Sequence, residues 1–97
     1  MDEASTQGRI EELRNRVDEV DRELVRSLNE RARIVQEIVA IKAEAGKALF
    51  DPRREEKILR KVAEENEGPI YDTSLREIFT LILHRIRDLE VQREEFR

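Results

Sequence analysis

Arg31 lies in a predicted helix at a position where the sequence pattern otherwise places apolar residues. From Ile10 onward a heptad repeat with two apolar seam positions fits the chain, and Ser27 and Arg31 interrupt it. A guanidinium is always charged, so an apolar position is costly for it unless an anion or a fixed carboxylate meets it. Arg31 is therefore a candidate anion-binding residue. A register-setting ion pair, or a side chain that extends to solvent, explains it equally well. The apolar seam residues are Ile10, Leu13, Val17, Val20, Leu24, Ile34, Ile38 and Ile41.

Two further cations on the same predicted helix are candidates for the same chemistry. Lys42 lies eleven residues after Arg31, about three turns and nearly the same azimuth, and Val35 and Ile38 line the face between them. Arg14 lies seventeen residues before Arg31 and about 100° away around the helix, so it is placed to serve a partner chain instead. Considered singly, Lys42 and Arg14 are each explained as surface charge.

A second charged group lies at the predicted start of the next helix. Asp51 and Pro52 are typical of an N-cap followed by proline at the first helical position, and Arg54 and Glu55 follow them. The helix dipole favours acids here, so capping alone explains Asp51 and partly explains Glu55. Arg54 is mildly unfavourable at a helix start and requires another role.

The third predicted helix offers one carboxylate and one imidazole. Glu90 follows Ile86 by four residues, Leu83 by seven and Phe79 by eleven, which places it close to the apolar stripe. A solvated helix end is its alternative. His84 has no second His and no helix-spaced metal partner, so we interpret it as a surface residue.

Three helices are predicted to position these residues, which makes the chain all-α. The first begins at a cap on Ser5 or Thr6 and stops at Gly46, about 38 residues later. The second ends in the turn at 66–69, where Gly68 can adopt the left-handed conformation. The third starts at 72–74, and Ser74 and Glu77 have the spacing of a capping box if Ser74 is the cap. Ile58, Leu59 and Val62 form the apolar stripe of the second helix. The expected buried stripe of the third helix is Leu75, Ile78, Phe79, Ile82, Ile86 and Leu89.

The length of the first helix predicts a dimer. The 97 residues form one predicted domain, with fraying expected at 1–6 and 93–97. A helix of about 38 residues is about 57 Å long, whereas a compact domain of this size has a radius of gyration of about 12–13 Å. Its own chain cannot cover such a helix, so we expect the equivalent helix of a second copy to do so.

Composition narrows the function classes. Charged residues make up 43% of the chain, the net charge is −4 and no basic face is visible, which argues against nucleic acid as a partner. With no Cys and a single His, neither a thiol nucleophile nor a thiolate zinc site is expected, and we predict no metal and no cofactor. No secretory signal or apolar span is visible, so we expect no membrane association and a cytoplasmic protein.

The joint pattern resembles a known family, the all-helical chorismate mutases that form intertwined dimers. The resemblance runs from about Leu13 to Glu90. Each motif is weak alone, but their order and spacing make the joint match specific. The motifs are LR at 13–14, VDEVD at 17–21, LNER at 28–31, IK at 41–42, FDPRRE at 50–55 and EGP at 67–69.

The resemblance implies an intertwined six-helix homodimer and a set of site residues. Arg31 and Lys42 would line the site of their own chain, and Arg14 would reach the partner's site. Asp51, Arg54 and Glu55 would close one end, with Glu55 and also Asp51 near the substrate hydroxyl. Glu90 would lie near the ether oxygen. Ile86 stands where relatives often carry a small polar residue such as Ser, which removes one expected contact.

The implied reaction suits a chain with few nucleophiles. Chorismate carries two carboxylates, and its rearrangement to prephenate, a step towards phenylalanine and tyrosine, is unimolecular. The protein has to hold the compact reactive conformer and stabilise the negative charge that grows on the ether oxygen. Arginines suit the carboxylates, and Lys42 suits the ether oxygen. A carboxyl of Glu90 beside that oxygen can help only when it is protonated, because an ionised one would repel the growing charge.

Two other functions remain open from the sequence. An isochorismate pyruvate lyase on the same scaffold would need the same carboxylate-binding cations. A non-catalytic helical dimerisation module would use Ser27 and Arg31 only to set coiled-coil register. Such a module has no need for the charged group Asp51, Arg54 and Glu55.

Overall fold

The chain folds into three helices. A computed structural model describes residues 2–95, with side chains for residues 2–89. The helices are α1 (Glu3–Glu44), α2 (Pro52–Glu65) and α3 (Asp72–Glu95), and no strand occurs in residues 2–95. The predicted all-α class and the predicted order of a long, a short and a third helix are confirmed. Helical backbone also extends into both terminal segments for which we expected fraying.

Helix α1 is capped by a different residue from the two that were predicted. The Asp2 Oδ1 accepts the backbone N–H of Ser5 at 2.7 Å, and the Asp2 carbonyl accepts the N–H of Thr6 at 3.0 Å. The predicted cap at Ser5 or Thr6 was therefore wrong, because both residues already lie inside the first turn. The 42 residues of α1 make it about 63 Å long. Its predicted stop is confirmed, since Gly46 adopts φ +67, a conformation that favours glycine.

Helix α2 begins and ends as predicted. Asp51 is its N-cap and Pro52 its first residue, and Asp51 Oδ1 accepts the Arg54 N–H at 3.2 Å. At the other end, the Asn66 Nδ2 donates to the Ile70 carbonyl at 2.7 Å, and the Gly68 N–H donates to the Asn66 Oδ1 at 3.1 Å. Gly68 adopts φ +80, as its predicted turn position requires. These bonds close the turn between α2 and α3.

Helix α3 begins earlier than the proposed capping box. The Leu75 N–H donates to the Tyr71 carbonyl at 2.9 Å, which makes Asp72 the first helical residue. The predicted start at 72–74 is confirmed, but Ser74 is not the cap, because it lies inside the first turn. The carboxylate of Asp72 accepts the Asn66 Nδ2 at 2.7 Å, which links the first residue of α3 to the preceding turn.

The chain divides into two compact units, Met1–Arg33 and Ile34–Arg97. The second unit contains α2 and α3, which pack against each other, and its buried residues are Leu83 and Ile86. The three apolar residues predicted for α2 are half-buried, as expected. On α3 the prediction was wrong for Ile78 and Leu89, which are exposed. The covered face runs along 75, 79, 82, 83 and 86, and Ile78 and Leu89 lie on its flank.

The first unit carries an exposed apolar stripe. The seam residues of α1 in this unit are exposed, as Leu24 illustrates at 54%. Its buried apolar residue is Ala32. None of the helices in the described part of the chain is both long enough and apolar enough to cross a membrane.

Candidate functional site

Charged side chains from two helices meet at the start of α2. The Arg87 Nη2, from α3, donates to the Glu55 Oε1 in the first turn of α2 and forms an ion pair with it. The Arg87 Cζ also lies 4.0 Å from the ring centroid of Phe50, in the loop before α2. The side chains of Arg87 and Glu55 are 39% and 25% exposed. Partial burial weakens solvent screening, so the pair is stronger than one at a fully exposed surface.

The two other residues predicted at this end have different surroundings. Asp51 is exposed, and its carboxylate caps α2 by accepting the Arg54 N–H. Arg54 is exposed too. The structure therefore brings Asp51, Arg54 and Glu55 together at the start of α2, with Glu55 turned toward α3 and the other two toward solvent.

In the first unit, the predicted site residues differ in exposure. Arg14 is exposed and forms an ion pair with Glu11, 2.8 Å from its Nη1 to Oε1. Such a pair between residues three apart on an exposed helix face contributes little to stability. Arg31, at an interruption of the seam, is half-buried.

In the second unit, Lys42 is half-buried near the end of α1. Val35 and Val39 are half-buried on the same face, whereas Ile38 is exposed. Val35 and Val39 thus lie on the half-buried side of α1, next to the exposed seam to which Ile38 belongs.

On α3, Ile86 belongs to the core at 8% exposure. Glu90 lies within α3, but its side chain is outside the described residues. His84 is exposed, as interpreted from the sequence. The shallow hollow along Thr73, Arg76, Glu77 and Thr80 includes none of the predicted site residues. Among the described residues, no three His, Asp or Glu side chains are grouped so that they could hold a metal ion.

Comparison with known proteins decides the family. Residues 13–91 match the family model for chorismate mutase type II. The chain belongs to this family. A solved structure of chorismate mutase from Thermus thermophilus is 44% identical, with a TM-score of 0.79, and the match covers 80% of this chain and 98% of that one. A second form of the Thermus protein is 45% identical, with a TM-score of 0.82, and the match covers 84% of this chain and 93% of that one.

Curated relatives of this chorismate mutase type II chain are longer proteins. A bifunctional chorismate mutase/prephenate dehydratase from Neisseria gonorrhoeae is 36% identical over 70 residues, which is 72% of this chain and 19% of that protein. The corresponding protein from Pseudomonas aeruginosa is 29% identical over 89 residues, 87% of this chain and 24% of that protein. The chain thus spans about a fifth to a quarter of the relatives it matches.

Sequence reasoning missed Arg87 in this chorismate mutase type II chain. A signal was present, because Arg87 follows Leu83 by four residues and precedes Glu90 by three, on the covered side of α3. Nothing local marks it as the partner of Glu55, thirty-two residues away. Phe50 belongs to the FDPRRE motif, but its contact with a cation requires the packing of α3 against α2.

Proposed function

We propose that this chain rearranges chorismate to prephenate and does so as a homodimer without a cofactor. The observation that carries the proposal is the match to chorismate mutase type II over residues 13–91. The likeness to the Thermus thermophilus chorismate mutase supports it, because that match covers 98% of the solved chain at 44% identity. The bifunctional relatives carry the words chorismate mutase in their names as well.

The reaction requires the protein to bind one conformer of the substrate and to stabilise developing charge. It does not require a nucleophile on the protein. The ether C–O bond breaks while a new C–C bond forms within one molecule, so no atom is exchanged with the protein. Electron density grows on the ether oxygen as that bond breaks. A site that holds the folded conformer and places a cation near this oxygen lowers the barrier.

The cations of α1 are our candidates for this work. Arg31 would bind a substrate carboxylate through its planar guanidinium, and Lys42 would face the ether oxygen as a compact cation. Both side chains are half-buried, and partial burial strengthens the attraction between a cation and an anionic ligand. Their spacing of eleven residues gives nearly the same helical azimuth.

The first turn of α2 would bind the other end of the substrate. Glu55 is our candidate acceptor for the substrate hydroxyl, with Asp51 beside it and Arg54 as a further carboxylate-binding cation. Half-burial and the ion pair with Arg87 hold Glu55 in a defined place. Ile86 would contribute an apolar wall, and Glu90 would meet the ether oxygen as a protonated donor.

A second copy of the chain would complete the site. The apolar stripe of α1 in the first unit is exposed over residues such as Val17, Val20 and Leu24. An equivalent stripe of a second copy would cover it by coiled-coil packing, and Arg14 would then reach the partner's site.

A direct assay of chorismate loss tests the proposal. Purified protein is incubated with chorismate and separately with isochorismate, and the products are separated and identified. Prephenate from chorismate is the expected result. Salicylate and pyruvate from isochorismate, with no prephenate, would identify a lyase, and no turnover of either substrate would favour a dimerisation module.

A further inference from the structure

Arg87 is the residue through which α3 reaches the start of α2. Its guanidinium donates to the Glu55 Oε1 and lies 4.0 Å from the centroid of the Phe50 ring. Glu55 follows the Asp51 cap and Phe50 precedes it, so one side chain touches both flanks of that cap. The start of α2 is thereby tied to a helix that is distant in sequence.

The two contacts restrict the guanidinium in complementary ways. The ring face of Phe50 favours a guanidinium lying over it, and the carboxylate of Glu55 accepts from one of its N–H groups. Glu55 has three rotatable side-chain bonds and samples many rotamers when it is unpaired. The ion pair reduces that freedom, and the half-burial of both partners makes the pair less screened than an exposed one.

One oxygen of Glu55 stays available for a ligand. Oε1 accepts from Arg87, whereas Oε2 accepts no hydrogen bond from any group that the structure describes in residues 2–89. A carboxylate in an ion pair is an acceptor only, so the group that complements Oε2 is a donor such as a hydroxyl.

We propose that Arg87 is a positioning residue that holds Glu55 so that Oε2 accepts the hydroxyl of the substrate. Phe50 acts indirectly, because its ring contacts the guanidinium of Arg87 and restricts its position. The inference rests on the proposed function, since it assigns a partner to a residue that would touch chorismate. Arg87 itself touches no substrate in this assignment.

Kinetics of matched variants test it. Arg87→Met removes the cation and keeps a long apolar side chain. Arg85→Met is the control, because Arg85 lies two residues away with its side chain 71% exposed and paired with Asp88. We expect Arg87→Met to raise KM for chorismate by about 5- to 10-fold with kcat changed less than about twofold, since it loosens a contact to the bound ground state. Arg85→Met should behave as the wild type.

A chorismate analogue that lacks the hydroxyl separates positioning from direct binding. As a competitive inhibitor it should bind the wild type and Arg87→Met equally, because Oε2 has nothing to accept from it. Equal weakening of chorismate and of this analogue would show that Arg87 binds another part of the ligand, and would overturn the proposal.

A Glu55→Ala background tests the coupling, and Arg87→Lys gives a test that does not depend on the stability of Arg87→Met. In the Glu55→Ala background, Arg87→Met should change KM by less than about twofold, because no carboxylate is left to position. Additive effects would overturn the proposal. Arg87→Lys keeps a cation on α3 and should recover most of the affinity, whereas no recovery would reject the ion pair as the cause. If the wild-type protein does not convert chorismate, the proposed function is refuted and the inference fails with it. If the wild type is active and the variants behave otherwise than expected, only the inference fails.

Discussion

The carboxylate of Glu55 pairs with the guanidinium of Arg87, thirty-two residues further along the chain. The pair connects the first turn of α2 to α3, two helices that pack together and carry half-buried apolar residues such as Ile58 and Phe79. Because both partners are partly covered, the pair should contribute to stability as well as to the geometry of the candidate site.

A double-mutant cycle measures that contribution. Glu55→Ala, Arg87→Met and their combination should give a coupling free energy of about 0.5–1 kcal/mol in urea unfolding at low salt, discounted for the remaining exposure of both groups. High salt should reduce the coupling. The cycle of Arg85 with Asp88, a more exposed pair, is the control and should give less. Coupling no larger than in this control would contradict the prediction.

Variants of Asp51, the N-cap of α2, test its contribution to the stability of the fold. Asp51→Ala should lower the free energy of unfolding by about 1 kcal/mol, because the Arg54 N–H loses its acceptor. Asp51→Asn keeps a side-chain oxygen and should keep most of the stability. Thermal and urea unfolding check both variants. If Asn destabilises as much as Ala, capping is not the structural role of Asp51.

The candidate cations of α1 should matter for turnover and not for folding. Arg31→Ala and Lys42→Ala should each lose at least about 2–3 kcal/mol of transition-state stabilisation, measured from kcat/KM, with helix content retained by circular dichroism. Arg33→Ala and Lys47→Ala, at exposed positions nearby, serve as controls. Turnover near the wild-type value in either test variant would reject that residue's proposed role.

The exposed stripe of α1 should be the dimer interface. Leu24→Glu places a charge at a seam position and should shift the protein toward monomer at concentrations where the wild type is dimeric. Arg26→Glu, an exposed change outside the seam, is the matched control. Sedimentation reports the oligomeric state. Activity per chain should fall as the protein is diluted below its dissociation constant, and a fully active monomer would contradict a shared site.

Glu90 should produce a pH dependence. If its protonated carboxyl donates to the ether oxygen, turnover falls as pH rises and that form is lost, because the ionised group repels the growing charge. Glu90→Gln keeps a donor at every pH and should flatten this limb of the kcat profile. An unchanged profile in the Gln variant would show that Glu90 has a different role.

Local signals in the sequence predicted the framework well. Asp51 with Pro52 marked the start of α2, and Gly46 and Gly68 marked helix ends, because caps and left-handed glycines depend on neighbours within a few residues. One local spacing did not mark a helix start. Ser74 had the spacing of a capping box, but Asn66 binds Asp72 across the turn and α3 starts there.

The amino-acid sequence by itself determined the three helices, their order and the family, because helical periodicity and ordered motifs are written along the chain. Tertiary structure decided which side of each helix is covered. Ile78 fits the apolar stripe of α3, yet it is exposed, because α2 covers only part of the circumference of α3. It also decided that Arg87 meets Glu55. A contact between residues thirty-two positions apart depends on how two helices pack, and no periodicity within either helix encodes it.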